Sequence, residues 1–194
     1  MKNIKRIHKV LFFIFLIFLT WIIIKPNKVS IQHELLLDKE LQLGEMKYDI
    51  NKRYQLNPES TYEWADCVLD TLKIKEYENK YSLQILIDRS GCYTFSDELI
   101  NPVFYRLKKF SICLEIISDE DKFNEFSNYL LQQTNRKYGN YSKIISKVSE
   151  TIYIWNLNDH YFVIYSNNKP KTYYDQFKRS INLTWTKNID NYLD

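Results

Sequence analysis

Apolar and polar positions follow different periods along the chain, and the first feature is an apolar run with no period. "VLFFIFLIFLTWIII", residues 10–24, carries no charge and lies between Lys2, Lys5, Arg6 and Lys9 on one side and Lys25 and Lys28 on the other. A membrane span takes about 20 apolar residues and the core of a cleaved leader about 7 to 15, so length alone does not choose. The flanks do. "KPNKVSIQHELLL" offers no Ala or Gly for a signal peptidase, and a lipoprotein signal would need a Cys just behind the run, where the first is Cys67. The cations ahead of the run hold the N-terminus inside, Trp21 suits the outer interface, and Lys9 and Lys25 can snorkel. We expect a cytoplasmic basic flank (1–9), an uncleaved transmembrane anchor (10–25) contacting the membrane through residues 10–24, and export of the rest.

Behind the anchor, Ser30 can cap a helix with Leu36, Leu37, Leu41 and Leu43 near one face, closed by Gly44. Residues 45–60 hold no period and contain the turn signal Asn57-Pro58, so 26–60 reads as a juxtamembrane helix and linker ahead of a domain over 61–194. "CVLDTLKIK" and "YSLQILID" read as two strands around "EYENK", because Leu72 and Ile74 alternate with Lys73 and Lys75. Asn101-Pro102 opens a short helix with Val103, Leu107 and Phe110 as its stripe. "SICLEII" is a central strand. "SDED" resembles a capping box from Ser118 to Asp121, and opens a helix with Phe123, Phe126, Tyr129 and Leu130 on its apolar face, closed at Gly139.

"TIYIWNLNDHYFVIYS" is a β-hairpin by alternation. We expect Trp155 opposite Tyr161 and Ile154 opposite Phe162. That register gives one face of Ile152, Ile154, Phe162 and Ile164, and a second of Tyr153, Trp155, Tyr161, Val163 and Tyr165. The fold class expected is α+β: an N-terminal transmembrane helix followed by one two-layer domain, its mainly antiparallel sheet packed against helices.

Charge and composition narrow the partners. The formal charge is +3, and removing the four cations of the N-terminal flank leaves −1 beyond Lys9, so no basic field remains for nucleic acid. Tyr 16 and Phe 11 against Gly 3 and Pro 4 match A/T-rich codons and point to a bacterium, hence a single-pass inner-membrane protein with a periplasmic or extracellular domain. Three cysteines in an oxidising compartment allow one internal bridge; we expect Cys67 with Cys92, leaving Cys113 a buried thiol in its strand.

Candidate chemistry is sparse. Outside the flank the histidines are His33 and His160, and no H-E-x-x-H, G-x-S-x-G, P-loop or G-x-G-x-x-G is present. "SDED" lacks the spacing and central glycine of a Ca²⁺ loop. No catalytic residue, metal or cofactor is expected. Asp66-Cys67 with His160 at the start of "HYFVIY" resembles the NlpC/P60 cysteine peptidases, which implies cleavage of cell-wall peptides, although Val68-Leu69 stand where that family has Ser-Gly. The residues favour protein binding instead, through an amphipathic face of Tyr153, Trp155, Tyr161 and Tyr165. The expected function is an immunity or inhibitor protein neutralising a toxin that acts in the envelope. The alternatives are a bitopic subunit of a secretion or division complex, and a cell-wall-binding module with Trp155 as its stacking platform.

Overall fold

From Leu107 onward the chain is almost continuously strand or helix, and it builds the sheet that everything else packs on. The computed structural model describes residues 11–16, 28–36, 41–55, 68–88, 93–95, 105–173 and 176–193. Its strands are β1 (Val29–Ser30), β2 (Gln42–Leu43), β3 (Gln84–Asp88), β4 (Tyr93–Phe95), β5 (Leu107–Ile117), β6 (Lys143–Ser146), β7 (Glu150–Asn156), β8 (Tyr161–Tyr173) and β9 (Gln176–Thr186). Its helices are α1 (Lys47–Tyr54), α2 (Thr71–Tyr81) and α3 (Glu120–Tyr138), with a final 3₁₀ turn at Asp190–Tyr192. The fold is mixed α+β. β1 and β2 pair with each other; the large sheet runs β3-β5-β9-β8-β7-β6, antiparallel at every step, with β4 joined to β5.

Helix α3 carries the chain from β5 to the far edge of the sheet at β6, so it must cross one face. It does so apolar side down: Phe123, Phe126 and Leu130 are buried. Asp119 caps it, accepting from Lys122 N at 2.9 Å, while the Ser118 hydroxyl donates to Asp119 O; the cap thus sits one residue later than the expected Ser118 box. Gly139 closes it at φ +79°, as expected.

Three expectations fail for a common reason: short apolar runs do not fix a period. Residues 71–81 form helix α2, not a strand. Asp70 caps it, accepting from Lys73 N at 3.0 Å, and Ile74, Tyr77 and Tyr81 are buried at helical spacing, whereas Leu72 is 78% exposed. Leu107 and Phe110 lie in β5 rather than on a helix, and residues 96–104 fall outside the described residues. The helix expected from Ser30 to Gly44 is, where described, extended chain: β1 pairs with β2, and Leu36 bridges Leu69. Ile31, Leu35, Leu36, Leu41 and Leu43 are all buried, so the leucines serve the main core from several directions instead of forming one stripe.

That core also absorbs part of the expected linker. Residues 47–54 are α1, Ile50 is buried, Gly44 N donates to Leu107 O at 2.7 Å, and Leu107 N donates to Glu45 O at 2.9 Å. Ile31, Leu35, Leu36, Leu41, Leu43 and Ile50 thus pack in the same core as the sheet and α3. Of the expected anchor, residues 11–16 are helical and the remainder lies outside the described residues; among the described residues, no helix is long and apolar enough to cross a membrane.

Candidate functional site

The site is best built from the hairpin, where the expected register is off by one. Trp155 faces Phe162, and Asn156 faces Tyr161. Opposed residues share a face in any antiparallel register, so loop length alone decides whether their numbers sum to an even or an odd value. The loop here is Leu157–His160, closed by Leu157 N donating to His160 O at 2.9 Å, and four loop residues make the sum odd. The slip splits the expected aromatic face. Tyr153 and Trp155 turn inward with Phe162 and Ile164; Tyr161, Val163 and Tyr165 turn outward with Ile152 and Ile154.

Inward, Trp155 is 1% exposed, and its indole N–H donates to Gly139 O at 2.9 Å. It has no face to offer a partner or a sugar. Its ring packs 5.6 Å from Phe162, which lies 4.7 Å from Trp185. Phe110, Ile112, Leu114 and Ile116 of β5 complete this inner face with Ile181 and Leu183 of β9.

The outer face has two halves. Toward β6 and β7, a small cluster of Ile152, Ile154 and Val163 is covered by Ile145, Tyr161, Tyr165, Ile189 and Tyr192. Toward β5 and β9 the residues between the inward ones are Ser111, Cys113 and Glu115 on one strand and Lys178, Ser180, Asn182 and Thr184 on the other. Here a cavity of about 630 Å³ opens, reaching from Asp88 and Cys113 across Ser180 and Asn182 to Tyr165 and Asn167. Cys113 is a half-buried residue on this floor, not a core residue, because Ile112 and Leu114 take the inward positions. Cys67 and Cys92 lie outside the described residues.

One rim of the cavity is basic. Strand β8 is irregular between Asn167 and Lys171, and a proline inside a strand is compatible with such a bulge because Pro170 has no N–H for the ladder. The bulge is held firmly. Asn167 Oδ1 accepts from Lys169 N at 2.9 Å, and Asn168 N donates to Ser149 O at 2.8 Å. Arg179, buried beneath, donates to Asn168 Oδ1 at 2.7 Å and to Ser118 O at 2.9 Å, with its guanidinium over the Phe123 ring. Lys169, Lys171 and Lys178 all line the cavity as a result. Lys178 bonds Glu115 at 2.9 Å; Lys171 stands directly across the ladder from Lys178. Sequence reading missed this rim because the lysines are spread over "KPK" and "FKRS", although the proline within an alternating strand marked the irregularity.

A second cavity, also about 630 Å³, lies where the segment leaving the expected anchor meets the C-terminal half of α3, between Gln32, His33, Glu34 and Arg136, Lys137, Tyr138. Lys137 Nζ and the Tyr138 hydroxyl donate to Gln32 O at 2.7 and 2.8 Å. His33 inserts between Phe162 and Trp185, at 6.2 and 5.7 Å, and its Nδ1 accepts from Leu35 N at 3.2 Å. Burial first, and the Lys137 charge second, lower its pKa to about 3, which makes it too weak a base for proton transfer near neutral pH. It reads as a joint rather than a catalyst.

His160 is 8% exposed with a buried, unpartnered Nδ1, and burial lowers its pKa, Asp159 opposing and Lys187 reinforcing the shift. The cysteine of the peptidase resemblance lies outside the described residues. No group of three or more His, Cys, Asp or Glu side chains suited to a metal ion occurs among the described residues.

Fold and site together define an α+β domain whose antiparallel sheet is covered by a helix on one face and carries a polar, basic-rimmed groove on the other. No protein-family model, curated protein or solved structure matches the chain.

Proposed function

We propose that this is a membrane-tethered protein-binding protein of a bacterial envelope: an N-terminal membrane helix ahead of a two-layer domain that is exported and binds its partner through the outer sheet face. Within that class the favoured reading is an immunity or inhibitor protein that neutralises an envelope-acting toxin. The observation that carries the proposal is the outer half-face over β5 and β9, a preformed groove on rigid strands that no helix covers among the described residues. The clamped stem at Gln32 and His33 adds support, because it fixes the domain's orientation relative to the segment that would enter the bilayer.

A photo-crosslinking side chain at Ser180, in the groove floor, should trap one partner in high yield in the native host, whereas the same group at exposed Asn128 on α3 should not. No adduct from position 180 sinks the binding face. For the inhibitor reading, cells lacking the gene should die beside a toxin-producing neighbour; full survival removes it. Adducts to several envelope subunits would instead favour the bitopic-subunit alternative.

A further inference from the structure

We propose that the rim formed by Lys169, Lys171 and Lys178 binds a carboxylate-rich stretch of the partner protein. The inference rests on the protein-binding reading and specifies which surface, and which chemistry, that reading uses.

The first support is an electrostatic arrangement that gains nothing within the free chain. Like charges directly opposite on an antiparallel ladder repel, yet Lys171 faces Lys178 in register. Lys178 has Glu115 as counterion, whereas Lys169 and Lys171 carry no ion pair among the described residues. An acidic ligand would turn that repulsion into attraction.

The second is preorganisation. Lysines are flexible, but here the backbone that presents two of them is a bulge tied down by Asn167, Ser149 and Arg179, so their positions do not depend on loop ordering. Below them the floor offers Ser180 and Asn182, and Asn182 Oδ1 is buried with no protein partner among the described residues. A bound peptide's backbone N–H could donate there, while its carboxylates reach the rim. A small inorganic anion would use the lysines but leave the floor unmatched.

The third is position. The stem leaves the domain beside Trp185, at one end of β9, and Lys178 lies seven residues along the same strand, about 24 Å away at the ordinary strand rise. The rim therefore stands at the end of the sheet away from the stem, and with a membrane helix ahead of that stem this disfavours lipid headgroups of the same bilayer. Three lysines and the single ring of Tyr165 also fall short of the run of basic and stacking side chains that tracks a nucleic-acid strand.

The test uses the full chain in zwitterionic nanodiscs and reads the fluorescence anisotropy of labelled octaglutamate, with octaglutamine as the neutral probe. Octaglutamate should bind at about 50 mM salt and weaken as salt rises. A Lys169→Gln/Lys171→Gln protein should lose roughly tenfold in affinity, while Lys143→Gln/Lys147→Gln, on and beside the β6 edge, should bind as the parent does. Equal loss in both variants, or no preference for octaglutamate over octaglutamine, overturns the proposal. So does binding to anionic phosphatidylglycerol vesicles that depends on Lys169 and Lys171 when octaglutamate does not bind, since the rim would then be a membrane contact. The crosslink at Ser180 separates the two readings: if it survives in the Lys169/Lys171 variant, the acidic-segment proposal fails while the protein-binding face stands.

Discussion

The same strands show two chemistries on their two faces. On the inner face, β5, β8 and β9 present Phe110, Ile112, Leu114, Phe162, Ile164, Ile181, Leu183 and Trp185, all buried under α3 and the stem. On the outer face, one residue out of step, the same β5 and β9 present Ser111, Cys113, Glu115, Lys178, Ser180, Asn182 and Thr184. The difference lies in what crosses over. The β5-to-β6 connection is a helix and covers the side it crosses, whereas β6 to β9 are a meander of consecutive antiparallel strands that covers neither side. Across β5 and β9 the apolar burial is thus concentrated on one face, and the other face of those two strands stays polar.

The sharpest test of that division is a pair of truncations. Phe162→Ala removes a fully buried ring from the centre of the aromatic cluster beside Trp155, Trp185 and His33, and should cost about 3–5 kcal/mol. Ser180→Ala on the outer face should change stability by no more than about 0.5 kcal/mol. Urea denaturation of the two proteins decides it; comparable losses would show that the outer face is structural as well.

A smaller effect separates the faces by pH. His33 belongs to the inner face, and its pKa falls from 6.5 to about 3 on folding. A lowered histidine pKa means that the unfolded chain binds the proton more readily. Its contribution to stability is intact above about pH 6.5 and is lost progressively as pH falls toward 3. The loss should be on the order of 2–4 kcal/mol, somewhat less than the full shift would give because His33 is not fully shielded from solvent. Glu34, Arg136 and Lys137 are the charged groups lining the same cavity, and Lys137 adds repulsion once the ring is protonated. Urea midpoints measured from pH 7 to pH 4 should fall in the parent and fall much less in His33→Gln. Any slope left in His33→Gln has a second source in His160, whose pKa is also lowered by burial. Parallel curves for the two proteins would mean that His33 is not held neutral by the core.

How far the sequence made these faces legible depended on the length of each periodic run. "SICLEII" and the "FNEFSNYLL" stripe of α3 repeat often enough to fix strand and helix, and both appear as expected. Residues 71–75 give only two alternations before the helical spacing of Ile74, Tyr77 and Tyr81 takes over, and the Asp70 cap was the better signal. The hairpin was legible as an element but not in register, since Asn158 adopts φ +67° in a four-residue loop where a shorter or longer loop would fit the alternation as well. That one-residue ambiguity moved Trp155 from a supposed binding surface into the core. The basic rim was invisible for a different reason: it joins residues from two strands through a bulge, and no local pattern encodes that meeting.

The smallest expected effect bears most directly on whether the outer face is shaped for something other than stability. Lys171 and Lys178 face each other across the ladder, and Glu115 neutralises only the second. Lys171→Gln removes a repulsion while keeping a long polar side chain, so it should raise stability by about 0.2–0.5 kcal/mol, a melting-point increase of roughly 1–2 °C for a domain of this size. The gain should shrink as salt screens the pair. Glu115→Gln should do the opposite, leaving Lys178 without its 2.9 Å partner beside an unneutralised Lys171. If instead Lys171→Gln lowers the melting point at low salt, Lys171 has a stabilising role within the fold, and the like-charge pair no longer argues for an external anion. A rise that salt abolishes would mean that the free protein carries an electrostatic cost at this rim, the cost that the proposed acidic segment would relieve.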